Sequence, residues 1–333
     1  MMKAAQVIRR TIALGALAAL TLSGCGLQRG GMNSEGVPNS TQVVVHTGPG
    51  GGSDVFARQV TKLMKTDGLI SDSWPVRNQT EGSSIGAMSY LKGRKGRVDT
   101  IAAVTPTWLV TPLTLEGSVV SITDLQPIAA LLVEPQVVAV RADSGYDTIK
   151  DFIADAQRKP DQLVQVGGSI TATDSLTGKA LQAKTNSQWK YLSFSDSAQR
   201  IGALLRNDAQ MMIGAATDFV DQVKLGAIKV LATVDERPVA TFPKLTSMKA
   251  QGLDVGPLPE EFRGFVGPPD MPKEAVAYYQ GVFEKLIQAP GWDDFVNETG
   301  SVTNFLTADE FGPFLKEQND SLKTLIDSIG VGQ

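Results

Sequence analysis

The strongest constraint on the fold is an alternation of short apolar runs with longer amphipathic stretches along most of the chain. The apolar runs predict strands at 42–46, 98–104, 136–141, 163–166, 210–214 and 228–234. The amphipathic stretches predict helices at 55–64, 149–157, 174–183, 198–206, 275–287 and 308–329. Strands and helices that take turns are typical of an α/β fold with mostly parallel sheets. Such sheets bind ligands in the crevice beyond the carboxyl ends of their strands.

The N-terminus has the pattern of a secretory signal. Lys3, Arg9 and Arg10 precede an apolar segment at 11–22, and the sequence Leu-Ser-Gly-Cys follows at 22–25. The segment is shorter than the ~20 residues that a helix needs to cross a bilayer, so we expect a cleaved signal. Small residues before the single cysteine resemble the lipobox of bacterial lipoproteins. We therefore predict a lipoprotein signal peptide at 1–25 that ends at an acylated Cys25. The lipid would anchor the protein to the cell membrane, with the folded body outside the cytoplasm.

The remaining chain divides into a linker and a folded body. Residues 26–40 are rich in Gly, Ser, Asn and Pro without apolar periodicity, which predicts a flexible tether. The length of the body favours two domains. Since 31 basic residues stand against 35 acidic residues, we predict no nucleic-acid partner.

A glycine-rich segment, HTGPGGGSD at 46–54, follows the first predicted strand. It lacks the third glycine of a dinucleotide fingerprint, and no G-K-[ST] phosphate loop occurs in the chain. One histidine and one cysteine, without an acidic calcium-loop pattern, leave no ligand set for a metal. We therefore predict neither a cofactor nor a metal.

A second glycine pattern, G-x-S-x-G at 82–86, is typical of the turn that exposes a hydrolase nucleophile. Ser84 would then need a general base. The only histidine, His46, precedes the serine instead of following it. The alternative interpretation of 82–86 is a turn that leads into a short helix.

The glycine-rich segment has the properties of an anion site. Glycines let backbone amides approach a ligand closely, and the N-terminus of a helix adds positive potential. Ser53 and Asp54 are suited either to capping the helix that follows or to contacting the ligand. Both interpretations stay open at this point.

Six stretches of the chain, taken in order, resemble one family. The first is VVVHTGPGGGSDVFAR at 43–58, which is similar to a P-F-x-P-G-G-G-x-D-x-x-A-R segment. The others are 78–86, 131–144, 166–181, 191–205 and 266–276. In their order and spacing these stretches resemble the substrate-binding proteins of tripartite tricarboxylate transporters, also called the Bug family.

The resemblance implies a two-domain, periplasmic-binding-protein-like fold of type II, in which two crossing strands form a hinge. We place these strands near 137–141 and 228–234. Domain I is then discontinuous, with residues 41–138 and 232–333, and domain II is 139–231.

The resemblance also implies a small carboxylate ligand, held in the interdomain cleft largely by backbone amides, hydroxyls and water. The ligand-facing residues that it implies are Gly50, Gly51, Gly52, Ser53, Asp54, Thr105, Thr107, Ser169, Thr173, Asp174, Ser195 and Ser197. The chain departs from the family at three places. His46-Thr47 replaces Pro-Phe, Phe194-Ser195-Asp196 replaces Tyr-Lys-Gly, and Gly214 stands where many relatives have an acidic residue.

We therefore expect a monomeric, lipid-anchored solute-binding protein, in the periplasm or at the cell surface, that is not an enzyme. Its expected partners are the carboxylate, the permease subunits of a tripartite transporter, and the membrane that holds its lipid. A hydrolase that uses Ser84 and a ligand sensor without a transport role remain as alternatives.

Overall fold

The computed structural model describes residues 31–33, 36–115, 117–234 and 236–329. The predicted signal peptide, Cys25 and the first part of the predicted tether lie outside the described residues. Within the described part of the tether, Met32 forms a β-bridge with Pro38 and packs on the hydrophobic core. This end of the segment therefore contacts the folded body. None of the described helices is long and apolar enough to span a membrane.

All six predicted helices and all six predicted strands are present, among others. The described helices are α1 (Gly52–Thr66), α2 (Ile85–Lys92), α3 (Thr107–Thr114), α4 (Ile149–Arg158), α5 (Thr173–Thr185), α6 (Ser197–Leu205), α7 (Val220–Lys224), α8 (Lys273–Leu286), α9 (Pro290–Thr299) and α10 (Ala308–Ile329). The described strands are β1 (Gln42–Val45), β2 (Val76–Asn78), β3 (Thr100–Val104), β4 (Gln126–Val133), β5 (Gln136–Arg141), β6 (Val164–Gly167), β7 (Lys190–Ser193), β8 (Met211–Ala215), β9 (Ile228–Thr233), β10 (Phe262–Gly267) and β11 (Val302–Leu306).

The strands form two sheets, each of which is the centre of one lobe. In lobe 1 the strand order is β11-β4-β10-β3-β1-β2, and in lobe 2 it is β7-β6-β8-β5-β9. The predicted α/β fold with two lobes is thus confirmed.

Both sheets are mixed, whereas the sequence predicts mostly parallel sheets. β1 pairs parallel with β2 and β3, and β6 pairs parallel with β7 and β8. β4, β5, β9, β10 and β11 make antiparallel pairs. Helical crossovers keep strands parallel, and the chain has them within each parallel group. Most of the antiparallel strands instead flank the two passages between the sheets, where no helical crossover constrains their direction.

The predicted hinge strands are β5 and β9, which are antiparallel neighbours in lobe 2. The chain passes from lobe 1 to lobe 2 just before β5, at Glu134 and Pro135, and it returns after β9. The domain boundaries at 138/139 and 231/232 stay predictions.

Each sheet has a hydrophobic cluster on both of its faces. Along β1, Val43 and Val45 belong to one cluster and Val44 belongs to another. Along β5, Val138 and Val137 are divided in the same way. Successive side chains of a strand point to opposite faces, so a sheet covered on both faces needs a continuous apolar run. The carboxyl ends of β1, β3 and β6 are left for polar residues.

Candidate ligand-binding cleft

A cleft between the lobes, at the carboxyl ends of β1, β3 and β6, contains two adjoining cavities. The first has a volume of about 380 Å³, and we name it the acidic chamber because it is lined by the carboxyl groups of Glu134, Asp174, Asp196, Asp218 and Glu261. The second has a volume of about 460 Å³, and we name it the hydroxyl chamber because it is lined by the hydroxyl groups of Thr47, Ser53, Thr80, Ser83, Thr105, Thr107, Ser169, Ser193 and Ser195. Six residues line both chambers: Gly52, Gly168, Ala172, Arg200, Glu261 and Arg263. The chambers are therefore two parts of one site.

Most of the predicted ligand-facing residues lie in this cleft. Those in the acidic chamber are Gly50, Gly52, Thr173, Asp174 and Ser197. Those in the hydroxyl chamber are Gly52, Ser53, Thr105, Thr107, Ser169 and Ser195. Gly51 and Asp54 line neither chamber, and their contacts show that they shape the loop instead.

The glycine-rich loop offers fewer amides than its sequence suggests. The Gly50 amide donates to Oδ2 of Asp54 at 3.0 Å, and the Gly51 amide donates to the Gly48 carbonyl at 3.0 Å. In the part of the chain that the structure describes, the amides of Gly52 and Ser53 have no acceptor. Because they begin α1, these two amides are the ones that an anion in the cleft can use.

Gly51 is required by close packing within the loop. A Cβ at this position would lie 2.7 Å from Cβ of Thr47 and 3.1 Å from the Gly48 carbonyl oxygen. At Gly52, by contrast, a Cβ would meet only the guanidinium of Arg263, at 3.4 Å, and would point toward the cleft. Of the two glycines, Gly52 is therefore the one that lines the cleft.

Asp54 is a structural residue of the first turn of α1. Its carboxylate accepts hydrogen bonds from the Gly50 amide, from Nε of Arg58 at 3.0 Å, and from Nδ2 of Asn78 at 2.9 Å. Although burial alone would raise the pKa of Asp54, these bonds from Arg58, Gly50 and Asn78 lower it. The carboxylate is thus ionised and saturated, with no acceptor to spare for a ligand.

Asp174, in the first turn of α5, is bonded at only one oxygen. Oδ2 accepts hydrogen bonds from the Gly168 amide at 2.7 Å and from the Tyr191 hydroxyl at 3.0 Å. Oδ1 is buried and has no hydrogen-bond partner among the described residues. Burial raises the pKa of Asp174, and its hydrogen bonds and the charge of Arg200 offset this only in part.

Arg200 is a cleft residue that sequence reasoning missed. Its Nη2 donates to Oγ of Ser197 at 2.6 Å, whereas its buried Nε has no partner within the described ranges. Residues three apart share one face of a helix, so the predicted Ser197 was a signal for Arg200. Asp218 was missed as well. It accepts from Oγ of Ser197 at 3.3 Å, and burial raises its pKa.

Gly214 lies next to the carboxyl group of Asp218 at the wall of the acidic chamber. A Cβ at Gly214 would lie 3.4 Å from Oδ2 of Asp218. The carboxyl group of Asp218 therefore lies close to Gly214, the position at which many relatives are expected to have an acidic residue.

Two further charged residues of the cleft come from β10 and the passage before β5. Arg263 forms a bidentate pair with Glu134, with nitrogen–oxygen distances of 2.9 and 2.7 Å. The two residues are 129 positions apart, so no local pattern could have paired them. Both side chains are largely buried, at 11% and 17% exposure. Their pairing compensates both charges within the site.

Glu261 joins the lobes from the same strand end. Its carboxyl group accepts a short hydrogen bond from Oγ1 of Thr173, which lies on α5 of lobe 2. Burial raises the pKa of Glu261 to about 7, against the opposing charge of Arg263. This group also has no signal in the sequence, because its partner lies far along the chain.

His46 is held in the neutral state at the wall of the hydroxyl chamber. Its Nδ1 accepts a hydrogen bond from Nε1 of Trp108 at 3.0 Å, which places the ring proton on Nε2. Burial lowers the pKa of His46 to about 3. The side chain is therefore the packed, hydrogen-bonded histidine that the strand-end position suggests.

Ser84 is buried at the start of α2, where its Oγ donates to the Thr107 carbonyl at 3.2 Å. It lines neither chamber, and Nδ1 of His46 is occupied by Trp108. The geometry therefore does not pair Ser84 with His46 and does not expose it to either chamber. The stretch at 82–86 is a turn that leads into the short helix α2.

Three hydroxyl groups connect the lobes beside the hydroxyl chamber. Oγ1 of Thr171 in lobe 2 lies 3.3 Å from Oγ of Ser83 and accepts from Oγ1 of Thr111 at 3.1 Å. We name this set the hydroxyl clasp. It places the lobes in contact on one side of the ligand site.

No group of three or more His, Cys, Asp or Glu side chains within the described residues is arranged to hold a metal ion. The carboxyl groups of the acidic chamber are instead distributed around its walls.

The family model described as "Tripartite tricarboxylate transporter family receptor" (TctC) matches residues 76–331. A Cupriavidus necator protein, "UPF0065 protein in gbd 5'region", is 21% identical over 196 residues, which are 59% of this chain and 59% of that protein. A Bordetella bronchiseptica relative is 25% identical over 61% of its own length. The chain thus spans about three fifths of these two relatives. A Pseudomonas protein is 21% identical over 97% of this chain and 95% of its own.

Solved structures of similar fold include three that cover most of the chain. "R. palustris Rpa4515 with adipate" has a TM-score of 0.79 at 16% identity and covers 88% of this chain and 97% of its own. The periplasmic binding protein BugD has a TM-score of 0.77 at 20% identity, with 88% and 98% coverage. MatC from Rhodopseudomonas palustris with bound malate has a TM-score of 0.74 at 14% identity, with 86% and 98% coverage. At these identities the likeness establishes the fold.

Proposed function

The chain belongs to the tripartite tricarboxylate transporter receptor family, and from this premise we propose that it captures a small carboxylate in the cleft and delivers it to the membrane subunits of a transporter. The family consists of extracytoplasmic solute-binding receptors, which is the role of this chain in outline. The carboxylate, the delivery and the lipid anchor are the parts that we propose.

One observation carries the proposal: two amides that have no acceptor among the described residues begin α1 at a chamber lined by hydroxyl groups. Gly52 and Ser53 provide these amides, and Arg200 adds a guanidinium with an unpartnered Nε. Amides at a helix N-terminus bind an anion without a basic residue, and the guanidinium strengthens the binding of a carboxylate. The adipate and malate complexes of proteins with the same fold support this ligand class.

The hydroxyl clasp and the Thr173–Glu261 bond support a closing cleft. They join the lobes at two places along the cleft. A ligand that contacts Gly52 on lobe 1 and Ser169 on lobe 2 stabilises the closed state over the open state.

Binding is tested by thermal shift and calorimetry with a panel of mono-, di- and tricarboxylates that includes adipate and malate. At about a hundredfold excess over its dissociation constant, a bound acid adds about 2.7 kcal/mol to the free energy of unfolding. Gly52→Val places a branched side chain in front of the two amides. The loss of one charge-assisted hydrogen bond then lowers affinity by about tenfold to a hundredfold.

Gly281→Val is the matched control, because Gly281 lies within α8, away from the cleft, with open space around its Cα. It should bind the acid as the wild type does. If no carboxylate binds while neutral sugars do, or if Gly52→Val binds as the wild type does, the carboxylate site is refuted.

The lipid anchor rests on the sequence at 22–25 alone. We expect Cys25→Ala to move a folded protein from the detergent phase to the aqueous phase after partition. A variant that stays in the detergent phase would contradict the anchor.

Delivery is tested by uptake of a radiolabelled acid in cells that lack the protein. Wild-type protein should restore uptake, and Gly52→Val should not. If uptake does not depend on the protein although it binds the acid, the sensor function is favoured instead.

A further inference from the structure

The two chambers of the cleft differ in charge. The acidic chamber has five carboxyl groups and two guanidinium groups, of Arg200 and Arg263. The hydroxyl chamber has the same two guanidinium groups, but Glu261 is its only carboxyl group. One end of the site therefore favours an anion and the other end favours a cation.

Two of the five carboxyl groups are compensated within the protein. Glu134 is paired with Arg263, and Asp196 accepts a hydrogen bond from the Gln199 amide as the N-cap of α6. Asp174, Asp218 and Glu261 remain, and none of them forms an ion pair among the described residues. Only the charge of Arg200 is left to balance these three groups.

Asp174 gives a second and independent sign of a missing partner. The residue is 5% exposed and lines the acidic chamber, and its Oδ1 has no hydrogen-bond donor in the described part of the chain. A buried acceptor without a donor is unfavourable, so such atoms usually have a partner. Burial raises the pKa values of Asp174 and Asp218 although the charge of Arg200 opposes the rise, so this one cation does not compensate both carboxyl groups.

We propose that the ligand carries a protonated amine as well as a carboxylate, with the carboxylate in the hydroxyl chamber and the ammonium group in the acidic chamber. This inference rests on the proposed function and narrows its ligand class to amino acids. The ammonium group would donate to Oδ1 of Asp174 and lie beside Asp218, while Gly52, Ser53 and Arg200 hold the carboxylate.

The alternative is a dicarboxylate whose second carboxylate enters the acidic chamber. That group would meet Asp174, Asp218 and Glu261, which offer acceptors and negative charge. It could enter only if several of these groups took up protons. An ammonium group instead supplies three donors and one positive charge, so the chamber discriminates between the two ligands by repulsion as well as by attraction.

The test compares acids of equal chain length by calorimetry at pH 8. For each dicarboxylate of four to six carbons, three probes share the same intervening carbon chain. They are the dicarboxylate, the amino acid in which an ammonium group replaces one carboxylate, and the amine without a carboxylate. We expect one amino acid to bind at least about tenfold more tightly than the dicarboxylate of the same length, and the amine alone to bind weakly.

Asp218→Asn tests the acidic chamber directly. Its single side-chain hydrogen bond, from Ser197 at 3.3 Å, can also be accepted by an amide oxygen, so the fold should tolerate the change. Affinity for the amino acid should fall by about tenfold, and affinity for the dicarboxylate should rise. Asp221→Asn is the control, because it removes the same charge from an exposed position on α7 outside the cleft. It should change neither affinity.

The outcomes separate this inference from the proposed function. If the dicarboxylate binds as tightly as the amino acid or more tightly, or if Asp218→Asn and Asp221→Asn act alike, the ammonium site is overturned while the carboxylate site stands. If only the amine binds, or if no acid binds with or without an amine, both proposals fail.

Discussion

The loops that open α1 and α5 have the same construction but different chemistry. In each loop an aspartate of the first helical turn accepts a hydrogen bond from the amide of a preceding glycine: Asp54 from Gly50 and Asp174 from Gly168. Asp54 also binds Arg58 and Asn78, which lowers its pKa. Asp174 forms no ion pair among the described residues, and burial raises its pKa although the charge of Arg200 opposes the rise.

The two loops have similar geometry, so the number of hydrogen-bond partners is what separates the structural carboxylate of Asp54 from Asp174, the carboxylate that we propose binds the ligand. Both aspartates are nearly inaccessible, at 3% and 5% exposure. In lobe 1 the protein satisfies the carboxylate, and the neighbouring amides of Gly52 and Ser53 are left for the ligand. In lobe 2 an oxygen of the carboxylate itself is left over. One lobe therefore offers donors and the other lobe offers acceptors.

The largest expected effect comes from Asp54→Ala. The change leaves the Gly50 amide without an acceptor, leaves Nδ2 of Asn78 with the Thr47 carbonyl alone, and removes the partner of Arg58. We expect the free energy of unfolding to fall by roughly 4 kcal/mol, as measured by urea denaturation. Arg58→Ala is the control, and it should cost less than about 1 kcal/mol because the side chain is 52% exposed. A loss below about 1 kcal/mol for Asp54→Ala would show that its bonds are dispensable.

The chain's local patterns were sufficient to predict the helices and strands around these loops. The exceptions that matter for the fold are β4 and β10, two central strands of lobe 1. β4 contains Pro127 and β10 contains Gly264, and both residue types argue against a central strand. The tertiary structure overrides these preferences because β4 and β10 pair with each other along their full lengths.

The candidate site was predictable where its residues lie at strand ends or in helix first turns. Ser53, Thr105 and Ser169 belong to this group, and the resemblance to the family located them. The charges were not predictable in this way. Glu134, Glu261 and Arg263 acquire their roles from partners that are distant in sequence, and no periodicity records such a pairing.

A smaller effect should appear as opposite pH dependences of Asp54, which lies within lobe 1, and Glu261, which binds across to lobe 2. Asp54 has a lowered pKa, so its contribution to stability is present above about pH 4 and is lost as the pH falls further. Glu261, which binds Thr173 of α5, has a pKa raised from 4.5 to about 7. Its contribution is therefore fully present below about pH 4.5 and is lost as the pH rises through about 7.

Urea denaturation at about pH 4.5, 6 and 8 measures this dependence. The groups that face Glu261 are Arg263, Glu134, Asp174 and Thr173. The loss from Glu261 should be about 3 kcal/mol at most, and less where water in the cleft screens the charge. Glu261→Gln should remove this part of the dependence. A variant whose stability still falls like that of the wild type would assign the titration to another group.

The smallest expected change in stability separates the two aspartates most directly. At pH 8, Asp174→Asn keeps an oxygen that accepts from the Gly168 amide and the Tyr191 hydroxyl, and it removes a buried charge that has no ion-pair partner among the described residues. We expect the free energy of unfolding to change by less than about 1 kcal/mol, in the direction of greater stability. Asp54→Asn should instead be destabilising. The neutral asparagine side chain loses the attraction of Arg58, and its NH2 group cannot accept the hydrogen bonds that one carboxylate oxygen accepted. The effect on ligand affinity should be the opposite. Asp174→Asn should lower the affinity for amino acids, whereas Asp54→Asn should still bind them. If the two asparagine variants lose equal stability, both carboxylates are structural, and the unpartnered Oδ1 of Asp174 does not identify a ligand site.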